Sequence, residues 1–240
     1  MSPRLDKLLA NLGYGSRREI QSLVRAGRVR LGETRLTDPA QKIAPDACSE
    51  LRIDGEPLDP LPGLVIMLNK PLGMTCSHKD EGPLVHDLLP ERWRRRDPMI
   101  SSVGRLDKET TGLLLLTDDG AFLHKIIAPK THVPKRYHAE LARPLRGDEA
   151  ALFAAGTLIL QGETEPLSPG LLEVATPTRA ALTITEGRYH QVRRMFAALG
   201  NHVLALHRDR LGGLTLPDDL APGHYRVLDK AAIEIVLTGS

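Results

Sequence analysis

A carboxylate in a glycine-bounded polar turn, directly before a long aliphatic run, is the feature of this sequence best placed to do chemistry. Residues 104–117 read Gly-Arg-Leu-Asp-Lys-Glu-Thr-Thr-Gly-Leu-Leu-Leu-Leu-Thr. The leucine run has the composition of a buried strand, so Asp107 is expected at a strand edge, held rigidly yet facing a cleft. An ionised carboxylate so placed serves as a nucleophile or as a base. Arg105, two residues earlier, falls on the same face of an extended segment. Gly104-Arg105-Leu106-Asp107 alone describes no more than a surface turn with an Arg/Asp pair. Three further segments distinguish it: Leu68-Asn69-Lys70-Pro71-Leu72-Gly73, Pro134-Lys135-Arg136-Tyr137, and Glu186-Gly187-Arg188-Tyr189-His190-Gln191-Val192-Arg193-Arg194-Met195-Phe196.

The elements that must hold these residues begin after a break. Asp54-Gly55-Glu56-Pro57-Leu58-Asp59-Pro60-Leu61-Pro62-Gly63 cannot sustain a regular ladder and reads as a linker, so the domains are expected over 1–59 and 60–240. Beyond it, aliphatic and β-branched runs predict strands over Leu64–Asn69, Gly112–Thr117, Tyr137–Leu141, Leu171–Val174, Ala180–Thr185 and Ile233–Leu237. Helices are predicted over Leu84–Leu88, Ala121–Ile127, Asp148–Ala155 and Tyr189–Leu199. Strands interleaved with a few helices make an α+β domain with a mixed or antiparallel sheet.

Ahead of the linker, Leu5, Leu8, Leu9 and Leu12 recur at the spacing of one helical face, and Gly13 stops the helix. Ser16-Arg17-Arg18-Glu19 is a capping box opening a second helix, whose apolar stripe is Ile20, Leu23 and Val24 and whose stop is Gly27. Arg17, Arg18, Arg25 and Arg28 project away from that stripe, where guanidiniums can meet phosphates in pairs of hydrogen bonds. Residues 1–35 carry 8 basic against 3 acidic side chains, a net +5 in a chain of net +2. A basic head on a mildly acidic body suits a polyanion such as nucleic acid, and clustered Arg and Lys also make ordinary solvated faces.

Several classes fall away. No apolar run reaches the roughly 20 residues of a membrane helix, and the first residues lack a signal-peptide pattern, so a cytoplasmic protein is expected. Cys48 and Cys76 are the two cysteines, far apart and without CxxC spacing, and the 9 histidines form no metal motif. Neither a GxGxxG with an acidic partner nor a GxxxxGKS occurs, so no metal and no cofactor are expected.

Taken in order, the four segments resemble the catalytic domain of the pseudouridine synthases, and residues 3–59 resemble an S4 RNA-binding domain. Together they look like the RsuA group of ribosomal RNA pseudouridine synthases, over nearly the whole chain. That resemblance implies an isomerase that breaks the bond from ribose C1′ to uracil N1, turns the base and rejoins it through C5. Asp107 is then the catalytic carboxylate, acting covalently on the sugar or removing a ribose proton. The His-Gln-Val/Ile-Arg/Lys pattern carries over onto His190-Gln191-Val192-Arg193, making Arg193 the counter-ion of Asp107 and leaving Arg194 as an exposed helical residue. Tyr137 matches the active-site tyrosine, its ring set to stack on the uracil. Arg105 matches the residue that fills the stack vacated by the flipped nucleotide. Asn69, Lys70, Pro71 and Gly73 form a strand-to-turn element beside the cleft.

The C-terminal half, from Leu182 to Arg226, looks especially like the enzyme acting on small-subunit (16S) rRNA. The expected partner is therefore 16S rRNA, within small-subunit assembly intermediates, met by a monomer. A large-subunit rRNA synthase and a non-catalytic rRNA-binding protein on the same fold are the competing readings. The combination of Asp107, Tyr137 and Arg193 argues against the second, and a tRNA synthetase is disfavoured because no ATP-binding signature is present.

Overall fold

A computed structural model describes residues 2–77 and 81–238. The chain divides into two compact units, one made of residues 1–64, 86–101 and 117–120, the other of residues 65–85, 102–116 and 121–240. The break after Leu64 lies five residues beyond the expected one after Asp59, and two later segments return to the first unit.

The first unit opens with α1 (Leu5–Asn11) and α2 (Arg17–Arg25), then β1 (Val29–Leu31), β2 (Thr34–Arg35), β3 (Leu51–Ile53) and β4 (Glu56–Pro57). These strands form an antiparallel sheet in the order β2-β1-β3-β4. The capping box is present in full: the Ser16 hydroxyl accepts from the Glu19 amide, and the Glu19 carboxylate accepts from the Ser16 amide. Leu5, Leu8, Leu9, Leu12, Ile20 and Val24 make a shared core with Val29 and Leu51. The short helix α3 (Glu91–Arg94) belongs to this unit as well. Its arginine run is structural: Arg92 lies 4.3 Å over the Tyr14 ring and pairs with Asp59. Arg96 is buried against Asp118 at 2.8 Å and donates to the Pro60 carbonyl.

The second unit contains β5 (Val65–Lys70), β6 (Ser101–Ser102), β7 (Thr110–Thr117), α4 (Gly120–Ile127), β8 (Lys135–Leu141), α5 (Glu149–Ala154), β9 (Leu171–Thr176) and β10 (Arg179–Ile184), apart from the end residues Ser101, Thr117 and Gly120, which fall in the first. It continues with α6 (Gln191–Ala198), β11 (Val203–Leu211), β12 (Leu214–Thr215), β13 (Tyr225–Val227) and α7 (Lys230–Thr238). The nine-stranded sheet runs β13-β5-β7-β11-β8-β10-β9, with β6 on β7 and β12 on β11. Pairing of β7 with β11 is parallel, while β8 pairs antiparallel with both β10 and β11, so the sheet is mixed and the fold is α+β.

Two differences from the sequence expectation matter. Ile233–Leu237, expected as a strand, lies inside α7. Asp229 accepts the Ala232 amide at the start of that helix, and the short apolar run is ambiguous between strand and helix by period alone. Conversely, β11 carries His207, Arg208, Asp209 and Arg210, and so many charges conceal a central strand. Gly112 makes its pairing possible: a Cβ there would stand 2.1 Å from the Arg208 carbonyl oxygen, with φ at +105°.

Candidate active site

The turn that carries Asp107 is pinned from beneath by the strand-to-turn element. Lys70 is fully buried, and its Nζ donates to the carbonyls of Thr110 at 2.8 Å, Lys108 at 3.3 Å and Pro71 at 3.1 Å. The Gly73 amide donates to the Lys108 carbonyl, and the Cys76 thiol accepts from the Leu106 amide. Burial pushes the Lys70 ammonium down, a cost that the carbonyl cradle offsets, and pushes the Cys76 thiol up, so that it stays protonated. The outcome is a rigid loop presenting one half-exposed carboxylate.

Strand register then brings the second residue to it. On β11, Leu206 and Arg208 pair with Thr110 and Gly112 on one side, and with Ala139 and Tyr137 on the other. Tyr137 is buried, and its hydroxyl accepts from Arg208 Nη1 at 3.4 Å. Asp107, Arg105, Tyr137, Lys135, His190 and Arg208 all line one cavity of about 410 Å³, with Val133, Ile184, Leu206 and Leu211 among its apolar walls. A mostly apolar cleft with a few convergent polar groups suits a planar base.

His190 enters this cavity through a local backbone device. It sits in the left-handed region, at φ 48° and ψ 33°, immediately before α6. Its Nε2 lies 3.4 Å from Asp107 Oδ1, and the Tyr189 ring stacks on it at 3.9 Å with 16° between planes. Tyr189 is 71% exposed, so the outer face of this stacked pair is open to solvent. Gln191 and Glu186 hold the loop's shape: the Gln191 side chain accepts from the Arg188 amide and donates to Glu186.

Arg193 is placed differently from the expected counter-ion. Its guanidinium donates to the Val203 carbonyl at 2.9 Å and to the Glu109 carbonyl at 3.0 Å, and among the described residues it makes no ion pair with Asp107. It grips the backbone of the turn that carries Asp107, while the imidazole of His190 faces the carboxylate. Arg194, expected to be exposed, is instead packed on Glu163 and on the Gln161 and Tyr189 carbonyls. Arg188 reaches the same Glu163, so both arginines strap residues 161–166 to the motif loop.

The sequence does not single out His190, Arg208, Tyr189 or Lys135 as working groups. His190 and Tyr189 lie inside a motif and were open to assignment. Arg208 has no local signal at all, because its position follows from a long-range strand register. The Lys135 ammonium donates to the Val133 carbonyl, and burial, with the neighbouring charge of Arg208, pushes it down to about 8. Arg105 lines the cavity and is exposed.

Of the four head arginines, Arg18 and Arg25 are exposed and seven positions apart on α2, hence on one face, without an ion pair among the described residues. Arg28 is engaged by Asp54 through two hydrogen bonds of 2.8 and 2.5 Å, and Arg17 donates to Asp6 at 3.1 Å. Asp6 is itself a buried hub. Burial opposes its ionisation, but hydrogen bonds from Arg4, Gln21 and Arg17 prevail and hold it at about 2. The expected array of four free guanidiniums is thus two free and two paired.

Among the described residues, no group of three or more His, Cys, Asp or Glu side chains is placed to hold a metal ion, and no helix is long and apolar enough to cross a membrane.

Comparison with known proteins points to one family. The family model described as RNA pseudouridylate synthase matches residues 64–198, and that of the S4 domain matches residues 3–47. The chain is 44% identical to ribosomal small subunit pseudouridine synthase A of Escherichia coli K12, over 98% of this chain and all of the relative. It is 40% identical to the protein of that name in Vibrio cholerae, over 96% and 97% of the two chains. A Bacillus subtilis relative, described as an uncharacterized RNA pseudouridine synthase, is 39% identical over 97% of this chain and 98% of its own. A crystal structure of a pseudouridylate synthase aligns with a TM-score of 0.69 at 38% identity, covering 98% of this chain and all of the other. The matches cover both parts of the chain and agree with one another: the chain belongs to the RNA pseudouridine synthase family, with an S4 domain ahead of its catalytic domain.

Proposed function

We propose that this protein isomerises a uridine to pseudouridine in small-subunit (16S) ribosomal RNA. The observation that carries the substrate is the 44% identity, over nearly the full length of both chains, to an enzyme named for the small subunit. The site supplies the chemistry. Asp107 acts at the ribose, as nucleophile on C1′ or as base toward a ribose proton. His190 faces its carboxylate, and Arg193 keeps the turn in place through the Glu109 carbonyl. Tyr137 packs the uracil ring, while Arg105 at the exposed rim fills the stack that the flipped nucleotide leaves. Extruding that nucleotide costs a few kcal/mol, so a constrained or unpaired site is favoured over regular duplex.

The S4 head grips folded RNA through Arg18 and Arg25, with Arg17 and Arg28 available where phosphate outcompetes their carboxylates. In this reading the enzyme is a cytoplasmic monomer that meets its RNA in small-subunit assembly intermediates. The test is to incubate purified protein with 16S rRNA, with 16S rRNA plus small-subunit proteins, and with 23S rRNA, and then to map pseudouridine. One new pseudouridine in 16S rRNA, bare or protein-bound, is expected. Modification of 23S rRNA alone overturns the substrate, and no product in any sample favours a binding-only protein.

A further inference from the structure

Arg208 is a buried cation without an anion. It is 2% exposed, its Nε donates to the Leu113 carbonyl at 2.8 Å, and its Nη1 donates to the Tyr137 hydroxyl at 3.4 Å. Its Nη2 is buried with no hydrogen-bond partner, and among the described residues no carboxylate pairs with it. A guanidinium is expensive to bury, and an unmet N–H on it more so, unless something arrives to accept it. The surroundings add positive charge: Lys135 shares the cavity, with its ammonium turned to a carbonyl.

The visitor that fits has oxygen acceptors on a flat, otherwise apolar body. Leu206, Leu211, Ile184 and Val133 form the walls around Arg208 and Tyr137, surroundings suited to a ring edge and ill suited to a hydrated phosphate. Resting on the proposed function, the chemistry then places charge at this spot. When the N1–C1′ bond breaks heterolytically, its electron pair stays on the uracil and spreads from N1 onto both carbonyl oxygens. C5 then bonds to C1′, the C5 proton leaves to solvent, and N1 takes up a proton, so no atom is gained or lost. Between those two bonds the detached ring is an anion inside a low-dielectric cleft, where a preorganised cation acts strongly.

We propose that Arg208 donates its free Nη2 hydrogen to a carbonyl oxygen of the target uracil and stabilises the ring as an anion while it is detached. Tyr137, held by the same guanidinium, packs the ring in a fixed plane. Lys135 adds a second positive charge to the floor. Arg208 is thus a catalytic residue of the base, complementary to Asp107 at the sugar.

The experiment replaces a single oxygen. Once the modified uridine is mapped, the rRNA is ligated with uridine, 2-thiouridine or 4-thiouridine at that position, and single-turnover conversion is measured. Sulfur is the poorer acceptor, so wild type should process one of the two thio RNAs roughly 10-fold more slowly than the oxygen RNA, the scale of one weakened charge-assisted hydrogen bond. Arg208→Met should be slow on all three RNAs, with its own oxygen-to-sulfur ratio collapsing to within about threefold because the partner has gone. Arg208→Lys, which keeps the charge, serves if the methionine variant does not fold. An undiminished sulfur effect in the variants shows that Arg208 does not touch the ring. Wild-type conversion equally fast for all three RNAs sinks the proposal without any variant. Failure of wild type on the oxygen RNA instead overturns the proposed substrate.

Discussion

His190 Nε2 stands 3.4 Å from Asp107 Oδ1, whereas Arg193, three residues further on, holds the backbone carbonyl of Glu109 in the same turn. One helix start therefore touches the Asp107 turn twice, once at the carboxylate and once at the main chain. The left-handed backbone at His190 is what aims the imidazole inward, since the helical phase of α6 begins only at Gln191. The division separates side chain from main chain: the imidazole faces the Asp107 carboxylate, and the guanidinium holds the backbone of its turn.

Replacing Asp107 by Asn removes the nucleophilic and basic oxygen while preserving shape. The variant should form no pseudouridine yet bind rRNA within about threefold of wild type, because binding draws on surfaces away from one carboxylate. Filter binding and product mapping on the same preparation decide it, and sustained turnover by the Asn protein would remove Asp107 from its role.

His190 and Arg193 should separate kinetically. His190→Gln leaves the backbone grip intact and should lower kcat by roughly 10-fold with little change in KM, as for loss of one polar contact at a reacting group. Arg193→Ala releases the turn from Val203 and Glu109 and should cost roughly 100-fold in kcat/KM, since small misplacements of a catalytic group are expensive. Equal, near-wild-type kinetics for Arg193→Ala would show that Lys70 and Gly73 suffice to hold the turn.

Lys135 predicts a pH signature of known sign. Folded, its ammonium titrates at about 8; unfolded, near 10.5. Between those values the unfolded chain binds the extra proton, so stability rises with pH in that window. Lys135→Met should therefore melt at a higher temperature than wild type at pH 7, and the gap should narrow as pH climbs from 8 toward 10. Activity should move oppositely, wild type losing rate above pH 8 as the cavity loses a charge and Lys135→Arg resisting that loss. A constant melting gap from pH 7 to 10 would contradict the buried ammonium.

The head arginines should be unequal. Arg18→Ala and Arg25→Ala should each weaken rRNA binding and flatten the salt dependence by about one unit of slope if each neutralises one phosphate. Arg28→Ala should do less, since Asp54 already engages that guanidinium. Affinity measured from low to moderate potassium chloride tests the ranking, and an Arg28 effect larger than the other two would mean that the Asp54 pair opens on RNA.

Much of the site was legible in the sequence for local reasons. A glycine-bounded acidic turn before Leu113–Leu116, a capping box at Ser16, and apolar stripes at helical spacing are short-range patterns, and each became the element expected. Asp107 and Tyr137 lie in such patterns and do meet in one cavity. The partner facing Asp107 was not legible, because choosing between His190 and Arg193 depends on where α6 starts and on a left-handed residue that the motif alone does not announce. The Ile233–Leu237 run read as a strand because five apolar-rich residues carry no decisive period; packing against Gly212, where a Cβ would stand 1.9 Å from the Val236 carbonyl oxygen, favours the helix that formed. Arg208 was the least visible of all. Its place beneath Tyr137 comes from a register linking residues 71 positions apart, across a strand whose charges disguise its burial. Local propensity thus set the elements and the carboxylate turn, while sheet register, a non-local property, brought Arg208 into the same cavity.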